Sequence, residues 1–310
     1  MSDQQEQGSS PGGRLRQLLA TGVTLICPGV YDGFSARMAL AAGFKCLYMT
    51  GAGVSMSRIG MADLGLATQT EMVDAAGMIA NIDPKTPLIA DADTGYGTAI
   101  NVARTVERYI TVGVAGFHLE DQVVTKRCGH LNGKECVSLG EYLSRIKAAV
   151  EVRKRRRSDI VIIARTDSLA TQGFDEALHR LKAAIKVGAD VVFLEAIKTK
   201  DQLEAYCDAF RGTGVATLYN MVQGSTVGYK ITPKQAEQYG LGIVIYPGLC
   251  LVPAYLSITN ALRALKEGTV EESSERVAPQ EIFQVCGMNK IQELDREVND
   301  WVQTFEKVNE

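Results

Sequence analysis

Residues Lys126 to Glu135 read Lys-Arg-Cys-Gly-His-Leu-Asn-Gly-Lys-Glu. Cationic neighbours favour a thiolate over a thiol, so Cys128 is expected to have a lowered pKa and a reactive or proton-donating sulfur. Gly129 and Gly133 give the backbone the freedom of a mobile loop. The plainer alternative is a solvated basic turn with an incidental cysteine. A second cluster lies upstream, where residues 87–97 read Pro-Leu-Ile-Ala-Asp-Ala-Asp-Thr-Gly-Tyr-Gly. A short apolar run ends there in two carboxylates. Asp91 and Asp93 alternate, so on a continuing strand they would share a face. Close carboxylates repel unless a proton or a cation separates them. A hard divalent cation with oxygen ligands, Mg²⁺ above all, meets that need. An Asx-rich turn is the alternative.

Other apolar runs end the same way. Val114–Leu119, apolar apart from His118, leads into Glu120-Asp121-Gln122, Ile160–Ala164 into Arg165-Thr166-Asp167, and Val191–Leu194 into Glu195. Turns alone account poorly for such a series. His118, at a strand end, is a candidate to support the cluster from behind.

The elements that would position these groups are eight strand-like runs: 23–27, 45–49, 87–91, 114–119, 160–164, 190–194, 215–219 and 242–246. Helical patterns lie between most of them, at 36–42, 100–112, 139–155, 174–187 and 200–210. Strand–helix alternation predicts a parallel sheet covered by helices. Eight such units over about 250 residues predict a closed (β/α)8 barrel of the TIM type. The site of such a barrel lies at the carboxyl ends of its strands, where Asp91, Asp93, Glu120, Arg165, Glu195 and Asn220 all fall. Strand two ends in Thr50-Gly51-Ala52-Gly53, small residues suited to backbone donation to an anion. An open doubly wound sheet is the rival architecture. No dinucleotide or phosphate-loop glycine motif opens a helix after an early strand, which counts against it.

Of the 310 residues 46% are hydrophobic, enough for one large core. No linker divides residues 14–310, so a single barrel domain with a C-terminal extension is expected, preceded by a disordered polar tail, 1–13. The formal net charge of −3 favours neither nucleic acid nor an anionic membrane. The basic run Lys154–Arg157 reads as a solvated helix end. No apolar run approaches membrane-span length. Seven cysteines without paired metal spacing suit a reducing, cytoplasmic setting. Cys27, Cys46 and Cys250 read as small core residues. From Pro279 to Glu310 apolar residues recur at helical spacing, predicting an amphipathic helix or helix pair beyond the barrel. That face packs either on its own barrel or on a neighbouring subunit.

Taken in order, Asp91-Ala92-Asp93-Thr94-Gly95-Tyr96-Gly97, Glu120-Asp121-Gln122, Lys126-Arg127-Cys128-Gly129-His130, Ala164-Arg165-Thr166-Asp167 and Phe193-Leu194-Glu195 resemble the isocitrate lyase/phosphoenolpyruvate mutase superfamily. The resemblance covers roughly residues 14 to 290 and points to the short lyase branch, which includes lyases of dimethylmalate and methylisocitrate and the fungal oxaloacetate acetylhydrolases. Phosphonate-forming mutases lack the loop cysteine, and the large isocitrate lyases carry insertions absent here.

The resemblance implies Mg²⁺-dependent cleavage of a carbon–carbon bond in a small dicarboxylate, with Mn²⁺ able to substitute. Asp93 would ligate the metal, and Asp91 and Glu120 would hold its waters. Thr50, Gly51 and Ala52 would bind the substrate carboxylate, and Arg165 and Asn220 other oxygens. Tyr48, Asp63, Gly129 and Pro247 would line the substrate. Cys128 would protonate the departing enolate, in a catalytic set with Lys126, His130, Arg165 and Glu195. At the position of Pro247 the hydrolases of the family favour a serine and the alkylmalate lyases a proline, which leans toward a lyase. Oxaloacetate hydrolysis is the alternative, because Arg127, Asn132 and Gly133 look hydrolase-like. A catalytically dead metal-binding homologue is a more distant one. The resemblance also implies a homotetramer, a dimer of dimers with the eighth helix exchanged between subunits.

Overall fold

The structure is a computed structural model, and it describes residues 10–129, 133–222, 228–269 and 277–309. Eight parallel strands close into a barrel in sequential order. They are β1 (Leu25–Val30), β2 (Leu47–Met49), β3 (Leu88–Asp91), β4 (Gly116–Leu119), β5 (Val161–Thr166), β6 (Val191–Leu194), β7 (Ala216–Asn220) and β8 (Ile243–Tyr246). β8 pairs with β1 to complete the ring, Leu25 opposite Ile243 and Pro28 opposite Tyr246. The strands are apolar almost throughout because both faces are covered. Side chains such as Ile89, Ile163, Phe193 and Leu218 fill the barrel, while Phe117, Ile162 and Val192 meet the surrounding helices.

All eight expected strands are present, with shifted ends. β1 runs on through Pro28, which the expected strand 23–27 stopped short of. Proline's fixed φ suits an extended chain, and the cost is one ladder donor; Gly29 and Val30 go on to pair with β2. The main covering helices are α2 (Gly33–Ala41), α4 (Gln69–Ala80), α5 (Ala99–Thr111), α6 (Leu139–Arg155), α7 (Phe174–Val187), α8 (Lys200–Phe210) and α9 (Pro233–Tyr239). Their starts are written in side chains. Asp32, Thr68 and Thr232 each accept from the N–H of the third residue on, and the N–H of each donates in turn to that residue's serine, glutamate or glutamine side chain.

The expected tail is too long at its inner end. α1 (Pro11–Ala20) already includes residues 11–13: Ser10 caps it through Gly13 N, and proline occupies its first position. Gly12 is buried so close to the Asp159 carbonyl that a Cβ there would lie 2.4 Å from it. Residues 1–9 lie outside the described chain. Between β2 and α4 stand a short helix, α3 (Gly51–Val54), and a π-helical turn, Ser55–Ile59. Cys27 and Cys46 are core residues as expected, whereas Cys250 follows β8 and is only half-buried.

The chain divides into two compact units, Met1–Tyr255 and Leu256–Glu310, with α10 (Leu251–Glu267) crossing the boundary. In the second unit the expected helix pair is present as α11 (Pro279–Val285) and α12 (Met288–Asn309). Ile291, Leu294, Val298, Trp301 and Phe305 of α12 are exposed, and Trp301 stacks on Phe305.

Candidate active site at the carboxyl ends of the strands

β3 and β4 end side by side, with Asp91 opposite His118. Asp91 is the last residue of its strand, so Asp93 does not reach the site by strand alternation. It reaches it by a turn: Asp93 has φ +46°, and its N–H donates to Asp91 Oδ1 at 2.8 Å. The turn aims both carboxylates into the barrel mouth, where the Glu120 N–H donates to the Asp93 carbonyl. Tyr109 of α5 donates to the Asp91 carbonyl at 2.6 Å and fixes the strand end from behind. Gly51 lies against Asp91 so closely that a Cβ would stand 2.4 Å from Oδ2. Thr50 caps α3 through Gly53 N. The first N–H groups of such a helix have no partner within it, and those of Gly51 and Ala52 belong to this class.

Arg165, at the end of β5, is the central cation. Its Nε lies 2.9 Å from Asp167 Oδ2 and 3.2 Å from Glu120 Oε2, and its Nη2 lies 3.8 Å from Glu195 Oε2. Its guanidinium stands 5.1 Å over the Phe193 ring. Asn220, at the end of β7, donates through Nδ2 to Glu195. Pro247 directly follows β8, and its backbone packs on Gly29.

The cysteine segment leaves β4 and returns through a short antiparallel stem. Gln122 bridges Cys136, and the Gln122 side chain both donates to the Arg127 carbonyl and accepts from the Arg127 N–H. Lys126 is buried between Asp63, which it pairs with closely, and Asp93, whose Oδ1 is 2.6 Å away. Cys128 is half-buried and its N–H donates to the Asp63 carbonyl at 3.2 Å. Gly129 is buried against Arg165 and Glu195, where a Cβ would stand 2.7 Å from each. His130 lies outside the described residues, as does Asn132. A cleft of about 300 Å³ opens beside this segment, lined by Asp93, Tyr96, Arg104, Lys126 and Gln69 among others.

The mouth holds more buried carboxylates than cations. At an effective dielectric of about 20, unit charges 4 Å apart interact by about 4 kcal/mol. Lys126 therefore cannot neutralise Asp63, Asp91, Asp93 and Glu120 together. Burial raises the pKa of Asp91, of Asp93 (to about 6) and of Glu120, against the pull of Lys126 and Arg165, while neighbouring carboxylates add to the rise. The Lys126 ammonium is held charged: burial opposes the charge, but Asp93 and Asp63 outweigh it. Glu120 Oε1 has no hydrogen-bond partner, and neither has Asp93 Oδ1, whose approach to Lys126 is an ion pair without hydrogen-bond geometry. Excess charge and the unpartnered Glu120 Oε1 fit a hard divalent cation. Among the described residues no three Asp, Glu, His or Cys side chains form a cage of their own.

Some residues that hold the site were not foreseen. Arg145 of α6, fully buried, donates to the carbonyls of Glu120 and Gln122. Asp121 accepts from Thr166, from the Asp167 N–H and from Arg180 of α7. Lys134 reaches Asp167. The available signal was an arginine on the apolar face of each helix: Arg145 beside Ile146 and Ala149, Arg180 beside Leu181 and Ala184.

The closed barrel gathers these carboxylates and the loop cysteine at the carboxyl ends of its strands, where (β/α)8 enzymes carry their active sites. The phosphoenolpyruvate phosphomutase family pattern matches residues 15–266. The chain is 39% identical to 2,3-dimethylmalate lyase of Eubacterium barkeri, over 91% of this chain and 96% of that one. It is 48% identical to a solved oxaloacetate acetylhydrolase in complex with 3,3-difluorooxalacetate, covering 94% and 97% of the two chains with a TM-score of 0.90. A solved phosphonopyruvate hydrolase complexed with oxalate and Mg²⁺ is 26% identical, covering 93% and 99%, with a TM-score of 0.81. The chain belongs to the phosphoenolpyruvate mutase/isocitrate lyase superfamily, and it is a carbon–carbon lyase or hydrolase of that group.

His118 gives this site a measurable signature. Its Nε2 is 2.9 Å from Tyr48 Oη, and its Nδ1 is 3.6 Å from Asp91 with no hydrogen bond. Burial, helped by Arg165, lowers its pKa from 6.5 to about 3, so the ring is neutral and the Asp91 contact is not an ion pair. A depressed imidazole contributes stability in full above pH 6.5 and loses it as the pH falls toward 3. Long-range ¹H–¹⁵N NMR at pH 5 should show His118 as a neutral tautomer. A midpoint near 6.5 would contradict this environment.

Proposed function

We propose that the protein is a Mg²⁺-dependent lyase that cleaves a carbon–carbon bond in a 2-hydroxy dicarboxylate of the 2,3-dimethylmalate or 2-methylisocitrate kind. The observation that carries this reading is the meeting of under-neutralised Asp91, Asp93 and Glu120 with Arg165 and the Cys128 segment in one barrel mouth. Asp93 would hold the metal directly, with Asp91 and Glu120 on its waters. When bound, Mg²⁺ supplies a Lewis acid beside the substrate's hydroxyl and carboxylate oxygens.

The N–H groups of Gly51 and Ala52 and the Thr50 hydroxyl receive one substrate carboxylate. Arg165 and Asn220 hold further oxygens, and Glu195 keeps both side chains oriented. Tyr48 is fixed by His118 at the floor. A base takes the hydroxyl proton, the O–H electron pair forms the new carbonyl, the C–C bond breaks and its electrons leave with the other fragment as an enolate. Cys128 delivers one proton to the enolate carbon. Lys126, between Asp63 and Asp93, and His130 belong to the charge balance around that transfer. Gly129 admits the segment close enough to exclude water. A thiol in this role suits a reducing, cytoplasmic setting.

Pro247 favours a lyase over a hydrolase, since proline has neither a hydroxyl nor an N–H to offer a hydrated carbonyl. Oxaloacetate hydrolysis is the second reading, favoured by the 48% identity to the acetylhydrolase. A panel of dimethylmalate, methylisocitrate, isocitrate and oxaloacetate with Mg²⁺, ranked by kcat/KM, separates the two. An alkylmalate should lead. EDTA should abolish turnover, and Mg²⁺ or Mn²⁺ should restore it. Full activity in rigorously metal-free enzyme would remove the metal from the mechanism.

Replacing the acid tests its role. Cys128→Ser should lose about a hundredfold or more in kcat, the scale of general acid catalysis, while still folding and binding oxalate. Wild-type kcat in that variant would exclude Cys128 as the proton donor.

The helical spacing of apolar residues along α11 and α12 supports a homotetramer built as a dimer of dimers, in which a neighbouring subunit covers that face. Light scattering at micromolar concentration should report a tetramer, or at least a dimer. A fully active monomer would refute the assembly.

A further inference from the structure

We infer that Lys134 is a positioning residue that ties the cysteine segment to the substrate-binding arginine through one shared carboxylate, Asp167. The inference rests on the active-site reading given above. Lys134 lies at the returning end of the segment, past Gly133, and its side chain is buried, 3% exposed. Its Nζ makes two bonds. One goes to Asp167 Oδ1 at 2.9 Å, the other to the Gly129 carbonyl at 2.8 Å. Asp167 in turn grips Arg165 with both oxygens, Nε to Oδ2 at 2.9 Å and Nη2 to Oδ1 at 3.3 Å. Asp167 Oδ1 thus serves Lys134 and Arg165 at once.

The geometry gives Lys134 no route to a substrate except through these partners. Its ammonium is spent on a main-chain carbonyl and on a carboxylate behind Arg165. What it fixes is the position of Gly129, hence of the adjoining Cys128, relative to the guanidinium. Gly129 has no Cβ, so its backbone rests directly on Arg165 and Glu195. Contact alone would let the backbone slide; the Lys134 bond sets where along that surface it stops. Asp167 is itself held from the other side, its N–H donating to Asp121, which Arg180 and Thr166 anchor. The tether therefore ends on a rigid support rather than on another loop. A displacement of about 1 Å at a reacting group can cost about a hundredfold in rate.

The test uses full-length enzyme and four variants, Lys134→Met, Lys134→Arg, Asp167→Asn and Lys134→Met/Asp167→Asn. Its first readout needs no substrate: the rate at which iodoacetamide alkylates Cys128, followed by mass spectrometry. Cys46, fully buried, is the internal control for global loosening. Lys134→Met should alkylate at Cys128 about tenfold faster with Cys46 unchanged, and Lys134→Arg should recover most of the wild-type protection. The second readout is kinetic, on whichever substrate leads the panel. Lys134→Met should lower kcat by about a hundredfold with KM within about threefold, since Asp167 still grips Arg165. The double variant should lose no more kcat than Asp167→Asn alone, as groups acting in series do. Unchanged Cys128 alkylation in Lys134→Met, or additive losses in the double variant, would overturn the tether. An enzyme inactive on the whole panel would count against the functional reading, and the alkylation result would still decide the tether.

Discussion

Everything at the mouth of this barrel answers to the repulsion among carboxylates held out of water. Asp91, Asp93, Glu120, Asp167 and Glu195 are all buried where strands end. Each cation is placed between at least two of them or their supports: Lys126 between Asp63 and Asp93, Arg165 among Glu120, Asp167 and Glu195. Removing a partner from such a group leaves a charge buried without compensation, which costs far more than the pair contributes. The arrangement is thus a poor source of stability and a strong source of geometry. It is the kind of frustrated electrostatics that a divalent ion and an anionic substrate relieve together.

The supports show how the protein tolerates this. Burial pushes Asp121 upward, yet it collects donors from a hydroxyl, a backbone N–H and Arg180. Asp167 is held below the usual carboxylate range: burial works against it, and Arg165 and Lys134 prevail. The two supporting carboxylates therefore shift in opposite directions, because two cations, Arg165 and Lys134, reach Asp167 and one, Arg180, reaches Asp121. The well-donated ones sit behind the site, and the under-donated Asp93 and Glu120 face into it.

The barrel was legible in the sequence because parallel strands buried on both faces leave runs such as Val191–Leu194, each closed by a polar residue at the site. The site's carboxylates were legible for the same reason. What failed was local backbone detail. Asp93 was placed by strand periodicity, but the chain turns at a positive φ that alternation does not encode. Residues 11–13 read as tail because two glycines weaken the helical pattern, and it is the Ser10 cap and the contact of Gly12 with Asp159 that fix them in α1. Lys134 escaped notice because a buried cation in a loop looks, in sequence, like any solvated one; Arg145 was marked only by its place on the apolar face of α6, and the partners of both lie in other elements.

The ring closes between its first and last strands, with Thr24 bonding the Leu241 carbonyl across 217 residues of sequence. Contacts that span so much chain carry a loop-closure cost that the apolar interior has to offset. The groups in charge conflict likewise come from strand ends and loops far apart in sequence, from Asp63 to Glu195, so the full conflict exists only in the closed ring.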